Sequence, residues 1–331
     1  MKHQPKQQHK NPPSEKPKLL DQVRHACRLR HLAWRTEQSY CHWIKRFIFW
    51  SGVKHPATMG EAEVTAFLSH LANDRNVSAS TQNQALNALL FLYKNVLLSP
   101  LGNIDAVRAK KPRRLPVVLS RDECQALLGR LTGTSWLIAS LLYGCGLRVT
   151  EALRLRVQDI DFAAGTLMIR DGKGGKDRVA ALPRTVSDPL RRHIAASQRL
   201  YQADVNDTVG VSLPDPVANK YPRFAVEWPW YYVFPARKRC AHPRTGEIVR
   251  HHLHESAVQK EIKRAAREAG ILKRVTPHTL RHSFATQLLQ RGTDIRTLQE
   301  LLGHASVKTT MIYTHVTPEA RRGVVSPMDW L

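Results

Sequence analysis

Acidic residues are scarce in this chain. Its 331 residues hold 27 Asp and Glu against 51 Lys and Arg, a net charge of +24. Cysteine is scarcer still: Cys27, Cys41, Cys124, Cys145 and Cys240 are scattered, odd in number and form no CxxC pair. That argues against a disulfide framework and fits a reducing, cytoplasmic setting. No run of 18 apolar residues occurs, which excludes a conventional spanning helix. The opening stretch MKHQPKQQHKNPPSEKPK has no apolar segment for a secretory signal, so residues 1–17 read as a disordered basic tail. So large a cationic excess, with neither a span nor a basic amphipathic anchor, points to a nucleic-acid partner rather than a membrane.

Apolar residues recur at helical spacing in LLDQVRHACRLRHLA, TEQSYCHWIKRFIFW, EAEVTAFLSHLAND and STQNQALNALLFLYKNVLL, so residues 18–105 read as a compact four-helix unit. VRAKKPRRLP follows. Arg108, Lys110, Lys111, Arg113 and Arg114 crowd a proline-stiffened stretch, and residues 106–117 read as a linker able to cross a phosphate backbone. Residues 118–331 form a second unit. It opens with a capping box, Ser120 to Glu123. GTLMIRDGKGGKDRVAAL reads as two strands around a glycine turn, and PLRRHIAASQRLY as a helix. Four prolines suggest that residues 204–229 are irregular. WPWYYVFP (228–235) has the look of a buried strand with alternating faces, and three helices close the unit.

The densest chemistry lies in TPHTLRHSFATQLL, residues 276–289. Thr276 can cap and Pro277 suits the first helical position. His278 and Arg281, three apart, share a face near a helix N-terminus, where an anion is favoured. An isolated HxxR is ordinarily a solvated face. This one is accompanied by Gly303-His304 and Tyr313 downstream and, upstream, by Arg148 with Glu151 one turn on and by Lys173 and Lys176 on the glycine turn. That turn does not match a P-loop.

In order and spacing, Arg148, Lys173, HxxR at 278–281, GH at 303–304 and Tyr313 resemble the tyrosine recombinase (phage integrase) family over roughly residues 18–320. Within it, RVQDIDF, the insert before WPWYYVFP, VRHHLHE and TTMIYTHV are most similar to the integron integrases. The resemblance implies a mainly α, two-domain C-clamp fold, with a four-helix SAM-like core-binding domain and a mixed α+β catalytic domain carrying a small sheet. It implies site-specific DNA strand exchange on gene-cassette sites by a bacterial, nucleoid-associated enzyme. Such an enzyme is a tetramer on DNA, a monomer or weak oligomer free of it, and needs no cofactor. Tyr313 would attack a phosphodiester to give a 3′-phosphotyrosine, with His278 as general base. Arg148, Arg281 and His304 would donate to the phosphate, Lys173 would protonate the leaving 5′ oxygen, and Glu151 would orient its neighbours.

By the same resemblance Trp230, Pro243, His251 and His252 would hold extrahelical bases of a folded single strand, and residues 318–331 would exchange between protomers. Cys240, His242, His251, His252 and His254 match no zinc spacing, so no metal is expected. Two rival classes stand beside this reading. One is a non-catalytic DNA-binding protein. The other is a metal-dependent nuclease, which needs carboxylates at the phosphate. A phage or Xer-type recombinase is the alternative within the family.

Overall fold

The computed structural model describes residues 17–102, 115–170 and 177–314. The chain forms two compact units, Met1–Arg113 and Arg114–Leu331. The basic linker residues Arg108, Lys110, Lys111, Arg113 and Arg114, the turn with Lys173, and the segment 318–331 lie outside the described residues.

In the first unit the four apolar periodicities become α1 (Leu19–Leu29), α2 (Trp34–Trp50), α3 (Glu61–Asn73) and α4 (Ala79–Asn95). Their apolar stripes meet in one core, including Val23, Cys27, Ile44, Phe47, Phe67, Leu68, Leu86, Leu89 and Leu92. Each such side chain contributes about 1.5–3 kcal/mol on burial. Ser78 caps α4 through the Thr81 amide, and the buried Tyr93 hydroxyl donates to the carbonyls of Pro56 and Met59.

The second unit begins with α5 (Arg121–Gly129), where Ser120 and Glu123 bond each other's amides at 3.1 and 2.7 Å. Next comes α6 (Gly133–Gly144), apolar nearly all round and buried from Leu137 to Leu142. A helix of that composition belongs inside a core. Here it packs against α7 (Val149–Arg154), α8 (Arg184–Asn206), α10 (Glu255–Glu268) and α11 (Pro277–Gln290). Between α7 and α8 an antiparallel sheet runs β1 (Ile160–Asp161), β2 (Thr166–Ile169), β3 (Arg178–Ala181), with Leu167 paired to Ala180. α9 (Asp215–Lys220) and a hairpin of β4 (Cys240–Ala241) and β5 (Ile248–Val249) precede α10. After α11 come α12 (Ile295–Leu302) and α13 (Val307–Thr310).

Two expectations are corrected. The insert is irregular only in part: its first residues complete α8, Asp215–Lys220 is helical and Pro222–Val226 is a 3-10 turn, with 207–214 irregular between them. Its prolines stand at element starts, where a missing N–H breaks no bond. Nor is WPWYYVFP an alternating strand. Trp228–Trp230 is a 3-10 turn, and Tyr231, Tyr232, Val233 and Phe234 are all buried in succession. Both sides of that run are covered. The Val233 carbonyl meets His193 of α8, and the Arg156 guanidinium lies 3.6 Å from the Tyr232 ring centre.

One buried carboxylate ties the insert to this run. Asp204, 1% exposed, accepts from Arg250 at 2.6 and 2.7 Å, from Arg239 at 2.8 Å and from the Tyr231 hydroxyl at 2.7 Å. Asp204→Ala would strand the buried Arg250 guanidinium. It is expected to lower unfolding stability by about 3–5 kcal/mol, read as a reduced urea midpoint at unchanged slope.

Candidate active site

Glu151 is the centre of a cluster of cations. Arg148 is the N-cap of α7, and Glu151 accepts from its backbone amide at 2.8 Å and its guanidinium at 2.5 Å. Arg178, at the start of β3, donates to both oxygens of the same carboxylate at 2.6 and 3.1 Å, and its Nε donates to the Leu301 carbonyl at 3.0 Å. Arg281 of α11, 3% exposed, stands 3.7 Å from Glu151. It also donates to the carbonyls of Gly146 at 2.5 Å and Leu302 at 2.6 Å. Gly146 has φ +62°, and a Cβ there would lie 2.5 Å from the Phe284 ring, so only glycine lets this turn approach α11.

Three guanidiniums share one carboxylate. Arg178, Arg148 and the Arg148 amide hold Glu151 against the opposing effect of burial, and its pKa falls to about 2. Burial, and then the Arg148 charge, lower Arg281 to about 10, still cationic at neutral pH. The surplus of charge and N–H donors suits an oxyanion with several oxygens. Among the described residues no three His, Cys, Asp or Glu side chains converge as a metal would require.

His304 follows Gly303, which ends α12 in the left-handed region. Arg281 Nη2 lies 3.2 Å from His304 Nε2, and Thr310 Oγ1 lies 2.9 Å from Nδ1. An arginine only donates, so Nε2 accepts here and the ring proton sits on Nδ1. Tyr313 closes the site from the 3-10 turn Met311–Tyr313. It is 1% exposed, packed with Ala285, Leu298 and Leu302, and its ring lies nearly parallel to His304 at 6.3 Å. Burial raises its pKa, while Arg281 and Arg148 pull the other way.

The described geometry therefore brings Arg148, Glu151, Arg281, His304 and Tyr313 together. It does not bring His278 to the tyrosine. His278 is exposed on α11, and the group on the Tyr313 hydroxyl is instead His282 Nδ1, at 3.0 Å. His282 and Arg178 are absent from the residues singled out by sequence. Arg178 had a faint signal as a cation beside the glycine turn. His282 had none, because neighbours on a helix point about 100° apart and nothing local says from which side Tyr313 arrives.

The expected base-stacking residues sit on other elements. Trp230 is half-buried and stacks on Phe224 at 5.1 Å, which stacks on Tyr221 at 4.9 Å. Pro243 is exposed between β4 and β5. His251 and His252 are half-buried against each other, ring centres 4.1 Å apart, and against Tyr232.

The model of the phage integrase family matches residues 118–320, and that of the phage integrase N-terminal SAM-like domain matches residues 19–103. The chain belongs to the phage integrase family. This tyrosine recombinase is 50% identical over 322 residues to a curated integrase/recombinase of Escherichia coli, covering 97% of this chain and 96% of that one. It is 32% identical over 295 residues to tyrosine recombinase XerA of Thermococcus kodakarensis, covering 87% and 86%. Among solved structures, the XerH site-specific recombinase bound to palindromic difH substrate matches with a TM-score of 0.63 at 22% identity, over 94% of this chain and 85% of that chain. At that identity the likeness speaks for the fold. No helix among the recombinase's described residues is long and apolar enough to cross a membrane.

The lowered pKa of Glu151 links the recombinase's stability to pH. A depressed carboxylate stabilises the fold above its unfolded pKa of 4.5 and loses that contribution as pH falls towards about 2. The wild type is expected to lose on the order of 3 kcal/mol through this group across that window. Glu151→Gln, less stable at pH 7, should show a flatter profile there, measured by thermal unfolding at a series of pH values.

Proposed function

We propose that this recombinase is an integron-type integrase that cuts and rejoins DNA at cassette attachment sites through a 3′-phosphotyrosine. The observation that carries the chemistry is the Glu151-centred set of guanidiniums with the Tyr313 phenol beside it. The Tyr313 oxygen attacks phosphorus and the bond to the 5′ oxygen breaks. Arg148 and Arg281 receive the extra charge on the non-bridging oxygens, with His278 one turn before Arg281 as a further contact. His304 joins them as a further contact. Losing one such donor typically costs about 10²–10³ in rate. Lys173 protonates the leaving oxygen. The phosphotyrosine conserves the bond energy, so rejoining needs no nucleotide triphosphate and no metal. Tyr313→Phe is expected to abolish the covalent protein–DNA adduct on a nicked suicide substrate in EDTA while leaving DNA binding intact. Absence of an adduct with the wild type, or cleavage that EDTA stops, would sink the reading.

The integron assignment is supported by the insert and its aromatic column, Tyr221, Phe224 and Trp230, where an unpaired base can stack. Pro243, His251 and His252 stand with Trp230 as the base-holding set, and Arg108, Lys110, Lys111, Arg113 and Arg114 follow the backbone. The partner is DNA, including folded single-stranded hairpins, met by a tetramer in a bacterial cytoplasm. Xer-type recombination is the second reading, favoured by the 32% identity to XerA. Hairpin sites with extrahelical bases should bind more tightly than fully paired ones. Trp230→Ala should remove about 1–3 kcal/mol of that preference, measured by competition binding; equal affinities would leave the Xer-type reading.

A further inference from the structure

The proposed reaction leaves one proton without a destination. As the Tyr313 oxygen bonds to phosphorus, its hydroxyl proton must go to a base within hydrogen-bond reach. Among the described residues the group in that position is His282 Nδ1, 3.0 Å from the oxygen, with ring centres 5.5 Å apart. α11 presents His282 next to Arg281, so one rigid turn carries both a phosphate donor and a group on the nucleophile. His278, a turn earlier, makes no hydrogen bond with Tyr313, and its ring centre is 6.3 Å from that of His282.

We propose that His282 is the catalytic base that takes the Tyr313 proton during cleavage and returns it during rejoining. This rests on the phosphotyrosine reading. The step balances: the Tyr313 O–P bond forms, the P–O5′ bond breaks, the phenolic proton passes to His282 Nδ1, and the 5′ oxygen takes a proton from Lys173. Rejoining reverses each transfer. The hydroxyl donates to Nδ1, so the ring proton of neutral His282 is on Nε2. The groups around it are His278 and Arg281 on its own helix and Tyr313 on the facing turn, with His304 stacked beyond that phenol. Burial first, then His278 and Arg281, push His282 down to about 4, so at neutral pH its lone pair is free to accept. Negative charge building on the phosphate then strengthens it as the proton moves.

Single-turnover adduct formation on a suicide substrate tests this with His282→Asn and His282→Ala. An asparagine oxygen can accept the tyrosine hydrogen bond but cannot hold its proton, and it guards against a variant that merely misfolds. Both variants are expected to bind DNA as the wild type does and to form adduct about 10²–10⁴ times more slowly. The slowing should persist on a 5′-bridging phosphorothiolate, whose sulfur leaves without a proton, while the same substrate restores Lys173→Ala. A wild-type rate in either variant, a faster rate, or restoration by the phosphorothiolate would overturn the assignment to His282 and leave the phosphotyrosine reading standing. An adduct from Tyr313→Phe would overturn that reading, and the base with it.

Discussion

The site depends on one carboxylate. The Glu151 side chain is 7% exposed and holds Arg148 and Arg178 directly, with Arg281 at slightly longer range. Burying three guanidiniums without it would leave uncompensated charge inside the fold, a cost of several kcal/mol per ion. Burying them with three carboxylates would neutralise the site. One carboxylate lies between these limits: it keeps the arginines folded in and leaves the cluster cationic. The donors are then held in place before any anion arrives, which is the condition for electrostatic catalysis.

The same economy with acid recurs in the insert. Asp204 gathers Arg250, Arg239 and the Tyr231 hydroxyl, and so fastens α8 to the segment after the tryptophans. In a chain with about half as many acids as bases, a buried carboxylate has more than one cation to serve. The two clusters do different things. The Asp204 set is closed, since the Arg250 guanidinium also donates to the carbonyls of Ala236 and Arg237. The Glu151 set borders Tyr313 and the helix that carries HxxR.

Tyr313 is packed like a core aromatic and bonded like a functional one. Its ring shares a cluster with Ala285, Leu298 and Leu302, while its hydroxyl meets His282. Burial keeps the phenol protonated and at rest. Moving the hydroxyl proton then requires a specific acceptor, and α11 supplies the imidazole in contact with it.

Local sequence determined a good part of this. Apolar periodicity and the Ser120 and Thr276 caps are short-range properties, so those helices and the starts of α5 and α11 were legible. The order Arg148, HxxR, GH and Tyr313 marked the family before any distance was known. Tertiary structure decided the rest. Prolines in the insert looked like breakers because a sequence does not say which of them begins a helix. Tyr231 to Phe234 lost their alternation because packing covers both sides of that run. His282 rather than His278 lies on the Tyr313 hydroxyl because Tyr313 comes to α11 from 31 residues away. The Tyr313 ring packs on Ala285 of α11 and on Leu298 and Leu302 of α12, contacts between segments that no local pattern encodes.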